Sequence, residues 1–220
     1  MNMAKMYADY QRYTSLLLKH NPEVIVGFDE TGNGAIAGPL CVAACALDLD
    51  FSEKVKDSKR YSSENARDKA YKMLKDNAVM SMAFMVSAEE LAVIGHAAAL
   101  ESLYVTALDY MFAHFGEEAL YIFDGNKTLD NVNIAHYALV KADDFIPAVS
   151  AASIVAKHER DLEIKKENIG PWRFDKSKGY PTPDHLELLE KLGPIKGVHR
   201  MNIERVQKAF DEKGWYEEEK

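Results

Sequence analysis

The chain has 220 residues, of which 47% are hydrophobic and 28% charged, a balance that fits one folded domain with a small appendage and excludes a low-complexity or repeat architecture. Its 27 Lys and Arg against 35 Asp and Glu leave a formal net charge of −8, so affinity for phosphate is not built into the total. Cys41 and Cys45 lie in an apolar run with no histidine at zinc spacing and read as reduced core residues of a cytoplasmic protein, while Leu16, Leu17 and Leu18 make a run too short for a signal sequence or a membrane span.

Met6, Tyr10, Tyr13 and Leu17 recur at helical spacing, so residues 1–20 are expected to form a helical lead-in. Val24 to Phe28 is an apolar run ending in Asp29 and Glu30, and Leu40 to Leu47 is another; the two are predicted to pair as antiparallel strands about a glycine-rich loop. Ser63 to Asn77 places Ala66, Ala70, Met73 and Leu74 on one helical face, and Val79 to Val86 follows as a strand. Ser87 and Glu90 form an S-x-x-E capping box that opens one long helix, with Gly116 at its C-terminus. Leu120 to Phe123 reads as a strand ending at Asp124-Gly125, and Tyr137 to Val140 as a short strand before Lys141, Ala142 and Asp143. Pro147 opens a helix from Ala148 to about Asn168, closed by Gly170-Pro171. A loop-rich stretch through Lys178-Gly179-Tyr180-Pro181-Thr182 then leads to helices from Asp184 to Leu192 and after Asn202.

A hairpin followed by strands alternating with helices predicts an α/β fold with a mixed central sheet flanked by helices and a helical C-terminal cap. The expected division is a lead-in at 1–23, a main domain at 24–170 and an extension of that domain at 171–220. Lys157, Arg160, Lys165, Lys166, Arg173, Lys176, Lys178, Lys196 and Arg200 crowd the last third, while Glu217, Glu218 and Glu219 end the chain. These cations are expected to supply backbone contacts to a nucleic acid regardless of base sequence.

Acids recur at the ends of predicted strands: Asp29 with Glu30, Asp124, and Asp143. The crevice outside strand ends is the usual ligand site of an α/β sheet, so separate strands can deliver these side chains to one place. Like charges so gathered raise each other's pKa unless a cation compensates, and hard divalent ions with oxygen ligands do so best, which points to Mg²⁺ or Mn²⁺. For any single acid, turn formation is the more ordinary explanation, since Asp favours turns. Asp29-Glu30 stands apart because it runs into Thr31-Gly32-Asn33-Gly34-Ala35-Ile36-Ala37-Gly38-Pro39, where Gly32, Gly34 and Gly38 allow close approach of backbone to a ligand. The loop is neither a P-loop nor a dinucleotide fingerprint.

Gly27-Phe28-Asp29-Glu30-Thr31-Gly32-Asn33-Gly34 with Ala37-Gly38-Pro39 resembles the opening motif of type 2 ribonucleases H. Asp57-Ser58-Lys59, Asp124-Gly125-Asn126, Lys141-Ala142-Asp143, Ser150 to Lys157 with Arg160-Asp161, Lys178 to Thr182 with His185, and His199-Arg200 are similar to that family in the same order, from about Val24 to about Val206. The resemblance implies an RNase H-like fold and a carboxylate site at Asp29, Glu30, Asp124 and Asp143, with Asp143 ranked above Asp161. It implies cleavage of the RNA strand of RNA–DNA hybrids, extending to ribonucleotides embedded in DNA, by two divalent ions that leave 5′-phosphate and 3′-hydroxyl ends. Gly32, Asn33, Gly34 and Tyr180 would read the 2′-hydroxyl, and Lys59, Ser153 and Lys157 would hold phosphates or support the acids. Helix capping and solvation for Ser153 and Lys157, and turn filling for Tyr180, stand beside these roles. Asn33 departs from the family's usual arginine and removes a cation with a fork of donors, which bears on selectivity for a single ribonucleotide.

A catalytically weak hybrid-binding module of the same fold would require loss of an acid, and all the acids are present. A two-carboxylate glycoside hydrolase needs a protonated carboxyl and a sugar-stacking platform, for which Trp172 and Trp215 are too few. A monomer acting on nucleic acid, away from membranes, is the expected assembly.

Overall fold

Strand β1, Val24–Thr31, is buried from Ile25 to Asp29, and β2, Leu40–Asp48, is buried from Leu40 to Leu47, so both strands sit inside the sheet rather than at its rim. With β3 (Met80–Val86), β4 (Ala119–Asp124) and β5 (His136–Leu139) they form a mixed sheet in the order β3-β2-β1-β4-β5. β4 runs parallel to both β1 and β5. The computed structural model describes residues 3–130 and 132–218, without the side chains of 3–6, so the Met6 side chain and Glu219 lie outside the described residues.

Packing divides the chain into two units, each discontinuous in sequence. The first comprises Met1–Glu30, Val42–Phe84 and Tyr104–His158, and the second Thr31–Cys41, Met85–Leu103 and Glu159–Lys220. In the first, the sheet is accompanied by α1 (Met3–His20) and α2 (Glu64–Asn77). Ser63 caps α2 through the Ala66 N–H, and Ala70 and Leu74 are buried, as the helical periodicity predicts. Cys41 and Cys45 are free and buried in β2, and burial pushes the Cys45 thiol up to about 12.

The single long helix expected after Ser87 is two. The capping box of Ser87 and Glu90 forms and opens α3 (Ala88–Ile94), but Gly95 takes φ 81, ends that helix with its N–H on the Leu91 carbonyl, and α4 (His96–Phe115) starts anew. The two axes bend by 112°. Apolar periodicity runs on through Gly95, which hides the break from pattern reading. Among the described residues no single helix is long and apolar enough to cross a membrane.

Helix α5, Pro147–Lys165, begins in the first unit and continues into the second. The second unit gathers Ile164, Trp172, Phe174, Leu189, Ile195, Val198 and Val206 into its own core. Around it lie α6 (Phe174–Ser177), α7 (Pro183–Leu192) and α8 (Glu204–Lys213). Thr182 caps α7 and Pro183 occupies its first turn, which explains the sharp start after the loop.

Candidate active site

Because β1 and β4 are parallel, with Phe28 beside Phe123, their acid-bearing C-terminal ends share one edge of the sheet. Asp29 and Glu30 belong to β1 itself, and Asp124 is the last residue of β4. Asp143 sits in a 3-10 turn, Ala142–Asp144, set by a left-handed Lys141 (φ 58). That turn is tied to β4 by the Ala142 N–H, which donates to Asp124 Oδ1 at 2.8 Å, and to α5 by Ser150 Oγ, which donates to the Asp143 carbonyl at 2.6 Å. Gly27 explains how α5 approaches β1 so closely: a Cβ there would stand 2.2 Å from the backbone of Ala148 and Val149.

The acids perturb one another. Burial holds Asp29 well above the usual carboxylate range, and Glu30, Asp124 and Asp143 add repulsion. Burial first and Asp143 second push Asp124 up to about 6, against the lowering effect of the Ala142 N–H. Asp143 is raised by burial and by Asp57, while Lys59, with Nζ 3.8 Å away, pulls it back. Burial works to lower Lys59, but Asp57, Asp143, Asp29 and Asp124 together outweigh it and raise the ammonium, so this cation senses most of the cluster.

Hard oxygen donors whose charges repel suit a divalent cation, and in that sense the residues fit one. Among the described residues, however, no three His, Cys, Asp or Glu side chains form a set that would hold an ion as it stands. Their oxygens are engaged locally: Asp29 Oδ1 accepts the Glu30 N–H at 2.8 Å, Asp124 accepts from Ala142, and Glu30 accepts a hydrogen bond from the Tyr104 hydroxyl.

Ser153 is buried, and its hydrogen bond to Asp29 lowers that carboxyl against the burial and repulsion that raise it. Its hydroxyl donates to Asp57 at 3.2 Å and contacts Ser58 Oγ at 2.9 Å, which fixes the turn that carries the exposed Lys59. Lys157 lies half-buried on α5. Tyr104, packed on Phe123 with centroids 5.0 Å apart, and Asp57 contact the cluster although sequence reading did not select them. Tyr104 left no trace in the pattern because it sits in an apolar helix face where an aromatic is ordinary core.

In the second unit two arginines overturn an expectation. Arg160 and Arg200, counted from sequence among cations for a phosphate backbone, are 0% and 1% exposed. Arg160 donates to the carbonyls of Pro39, Ala37 and Lys178 at 2.8, 3.1 and 2.8 Å. Arg200 donates to those of Gly38, Gly32 and Pro39 at 2.8, 2.7 and 2.7 Å. Burial and the neighbouring Arg160 push Arg200 down to about 10, so it stays charged at neutral pH. The rigid guanidinium fork suits it to bridge several carbonyls of one loop, and that is the physical reason these residues turn inward.

The glycines of this loop divide by role. A Cβ on Gly32 would meet Arg160 Nε at 2.6 Å and one on Gly38 would meet Ile164 at 2.5 Å, so these two serve internal packing. Gly34 has nothing within 4 Å of that position, and Asn33 and Gly34 are exposed. Tyr180 is half-buried, its ring centroid 5.1 Å from the Arg160 guanidinium and its hydroxyl 3.5 Å from Thr31 Oγ1. Asp161 belongs to this unit and acts on Arg160.

The ribonuclease HII family profile matches residues 26–207, which takes in both units and Asp29, Glu30, Asp124 and Asp143. A ribonuclease HII of Campylobacter jejuni is 35% identical over 182 residues, covering 81% of this chain and 90% of that protein. One from Neisseria meningitidis is 36% identical over 191 residues, covering 84% and 94%. Among solved structures, ribonuclease H2 of Pyrococcus horikoshii matches with a TM-score of 0.68 at 25% identity, over 86% of this chain and 98% of that one. With this fold and these ordered motifs, the chain belongs to the ribonuclease HII family and is a type 2 ribonuclease H, an endoribonuclease of RNA–DNA hybrids.

Proposed function

We propose that Asp29, Glu30, Asp124 and Asp143 hold Mg²⁺ or Mn²⁺ and form the hydrolytic centre. The observation that carries this reading is the gathering of carboxylates that repel one another around the end of β1, with Asp29 buried among them. Divalent ions bound there would activate a water and stabilise the leaving 3′ oxygen, giving 5′-phosphate and 3′-hydroxyl ends. Tyr104 orients Glu30, Asp57 and Ser153 orient the Lys59 turn, and Lys59 and Lys157 face the phosphates. The exposed Asn33-Gly34 tip, with Gly32 behind it, and Tyr180 read the 2′-hydroxyl that separates RNA from DNA. The protein acts in the cytoplasm as a monomer on RNA–DNA hybrids and on ribonucleotides embedded in DNA, in replication and repair.

The test is cleavage of end-labelled duplexes carrying one, four or only ribonucleotides in one strand, with product ends mapped, in chelator and after adding back Mg²⁺ or Mn²⁺. Activity should vanish in chelator, return with either ion, and be lost in Asp29→Asn. Cleavage that survives chelation, or near-full turnover by a folded Asp29→Asn variant, removes the carboxylate centre from the reaction.

A further inference from the structure

His185 and His199 are buried, 3% and 2% exposed, within the second unit's aromatic core. Their Nε2 atoms stand 3.1 Å apart. The outer nitrogens settle which of them carries a proton. The Ile195 N–H donates to His199 Nδ1 at 2.9 Å, so His199 bears its proton on Nε2. The Tyr180 carbonyl, which only accepts, lies 2.8 Å from His185 Nδ1, so His185 bears its proton there. His199 Nε2 must then donate to His185 Nε2, and the chain runs one way from Ile195 through both imidazoles to Tyr180. Trp172 and Phe174 wall it: the Trp172 ring centroid is 4.8 Å from that of His199, and that of Phe174 is 5.5 Å from that of His185. Burial pushes His199 down to about 3 and lowers His185, which keeps both rings neutral as this one-way pattern requires.

Both ends of the relay are tied to the loop that contains Asn33. His199 forms an antiparallel bridge with Ala37, and the next residue, Arg200, donates its backbone N–H to the Ile36 carbonyl at 2.9 Å. Beside Tyr180, the Gly179 carbonyl accepts from the Ile36 and Ala37 N–H groups at 2.9 and 3.1 Å.

We infer that His185 and His199 are positioning residues for ribose selection, holding Tyr180 in register with the Asn33-Gly34 loop through this directed relay. The inference rests on the assignment of Tyr180 to the 2′-hydroxyl. Neither imidazole touches the substrate. The relay fixes the Tyr180 backbone, while Arg160 and Thr31 orient its side chain.

The test is a double-mutant cycle on the full chain, reading kcat and KM on an RNA–DNA hybrid with binding to an all-DNA duplex as control. His185→Phe keeps an aromatic ring but removes the donor to Tyr180, and should lower kcat/KM about three- to tenfold, the net worth of one hydrogen bond. His185→Asn, which can place an N–H near the lost Nδ1, should restore most of it. On a Tyr180→Ala background His185→Phe should cost nothing further, because the residue it positions is gone. If His185→Phe fails to fold, His199→Gln takes its place, with a loss in the same direction that also disappears on the Tyr180→Ala background. Equal losses with and without Tyr180 mean a merely structural role and overturn the inference. So does full activity of folded His185→Phe while Tyr180→Ala is impaired, and in that case the Tyr180 assignment stands. Unchanged ribose discrimination in Tyr180→Ala overturns both.

Discussion

Asp124→Asn should stabilise the metal-free protein while abolishing cleavage. The carboxyl rises from its ordinary 3.8 to about 6, which corresponds to ~3 kcal/mol of penalty on the charged form at neutral pH. Partial solvent access reduces this to about 1–2 kcal/mol. The amide keeps an oxygen for the Ala142 N–H, so the substitution removes repulsion without orphaning that donor. A chain of this length gains about 2–4 °C in Tm per kcal/mol, so thermal unfolding in chelator at pH 7.5 should shift upward by roughly 2–8 °C. The pH dependence has a definite sign. A carboxyl whose folded pKa exceeds its unfolded value destabilises above the folded value, here about 6, and that cost fades as pH falls toward the ordinary carboxylate range. His185 and His199 act oppositely: their lowered folded pKa values withdraw stability as pH falls below about 6.5, the ordinary histidine value. Subtracting wild type from variant cancels the histidine contribution, so the advantage of Asp124→Asn should shrink steadily from pH 7 to pH 4. Adding Mg²⁺ should raise the Tm of the wild type more than that of the variant. A variant no more stable than wild type in chelator at pH 7.5, or an advantage that grows on acidification, refutes the repulsion argument.

Arg200→Lys keeps a cation but loses the fork that bridges Gly32, Gly38 and Pro39, and should cost about 2–4 kcal/mol in urea unfolding while leaving the salt slope of hybrid binding unchanged. Unaltered stability with a shallower salt slope would return Arg200 to the phosphate-contact role. Asn33→Arg, at the exposed tip beside Gly34, should raise cleavage of a single-ribonucleotide duplex relative to a multi-ribonucleotide one at matched salt, since charge-assisted contacts to phosphate are roughly twice as strong as neutral ones. An unchanged ratio would mean that position 33 does not set this selectivity.

What was legible in the sequence was local or motif-borne. The S-x-x-E box at Ser87 and Glu90, the helical face that buries Ala70 and Leu74, and the buried runs of β1 and β2 follow from chemistry within a few residues, and the structure contains each. Placement of Asp29, Glu30, Asp124 and Asp143 near one another was legible because acids at the ends of neighbouring parallel strands face the same edge. Tyr104 was not, because its partner Glu30 is 74 positions away and no periodicity links them. The break at Gly95 was missed for a different reason: apolar residues continue on both sides, and only the positive φ of one glycine separates α3 from α4. Arg160 and Arg200 were misassigned because an arginine's charge is visible in a sequence and its burial is not.

Those two arginines also bear on how so acidic a chain handles an anionic substrate. With 27 Lys and Arg against 35 Asp and Glu, every cation matters, yet both guanidiniums are spent on main-chain carbonyls of the loop. Of the exposed cations in the last third, Lys166 pairs with Glu163 at 2.5 Å and Arg173 with Asp175 at 2.8 Å. Such surface pairs are worth about 0–1 kcal/mol, so a phosphate can displace the carboxylate at small cost. The buried arginine bonds cannot be exchanged in this way, because each carbonyl released inside the protein would cost about 1–3 kcal/mol. The exposed cations of the C-terminal third, Lys166, Arg173, Lys176, Lys191, Lys196, Arg205, Lys208 and Lys213, therefore stay at the surface where an anion can reach them, whereas Arg160 and Arg200 set the shape of the Gly32 to Pro39 loop from inside the protein.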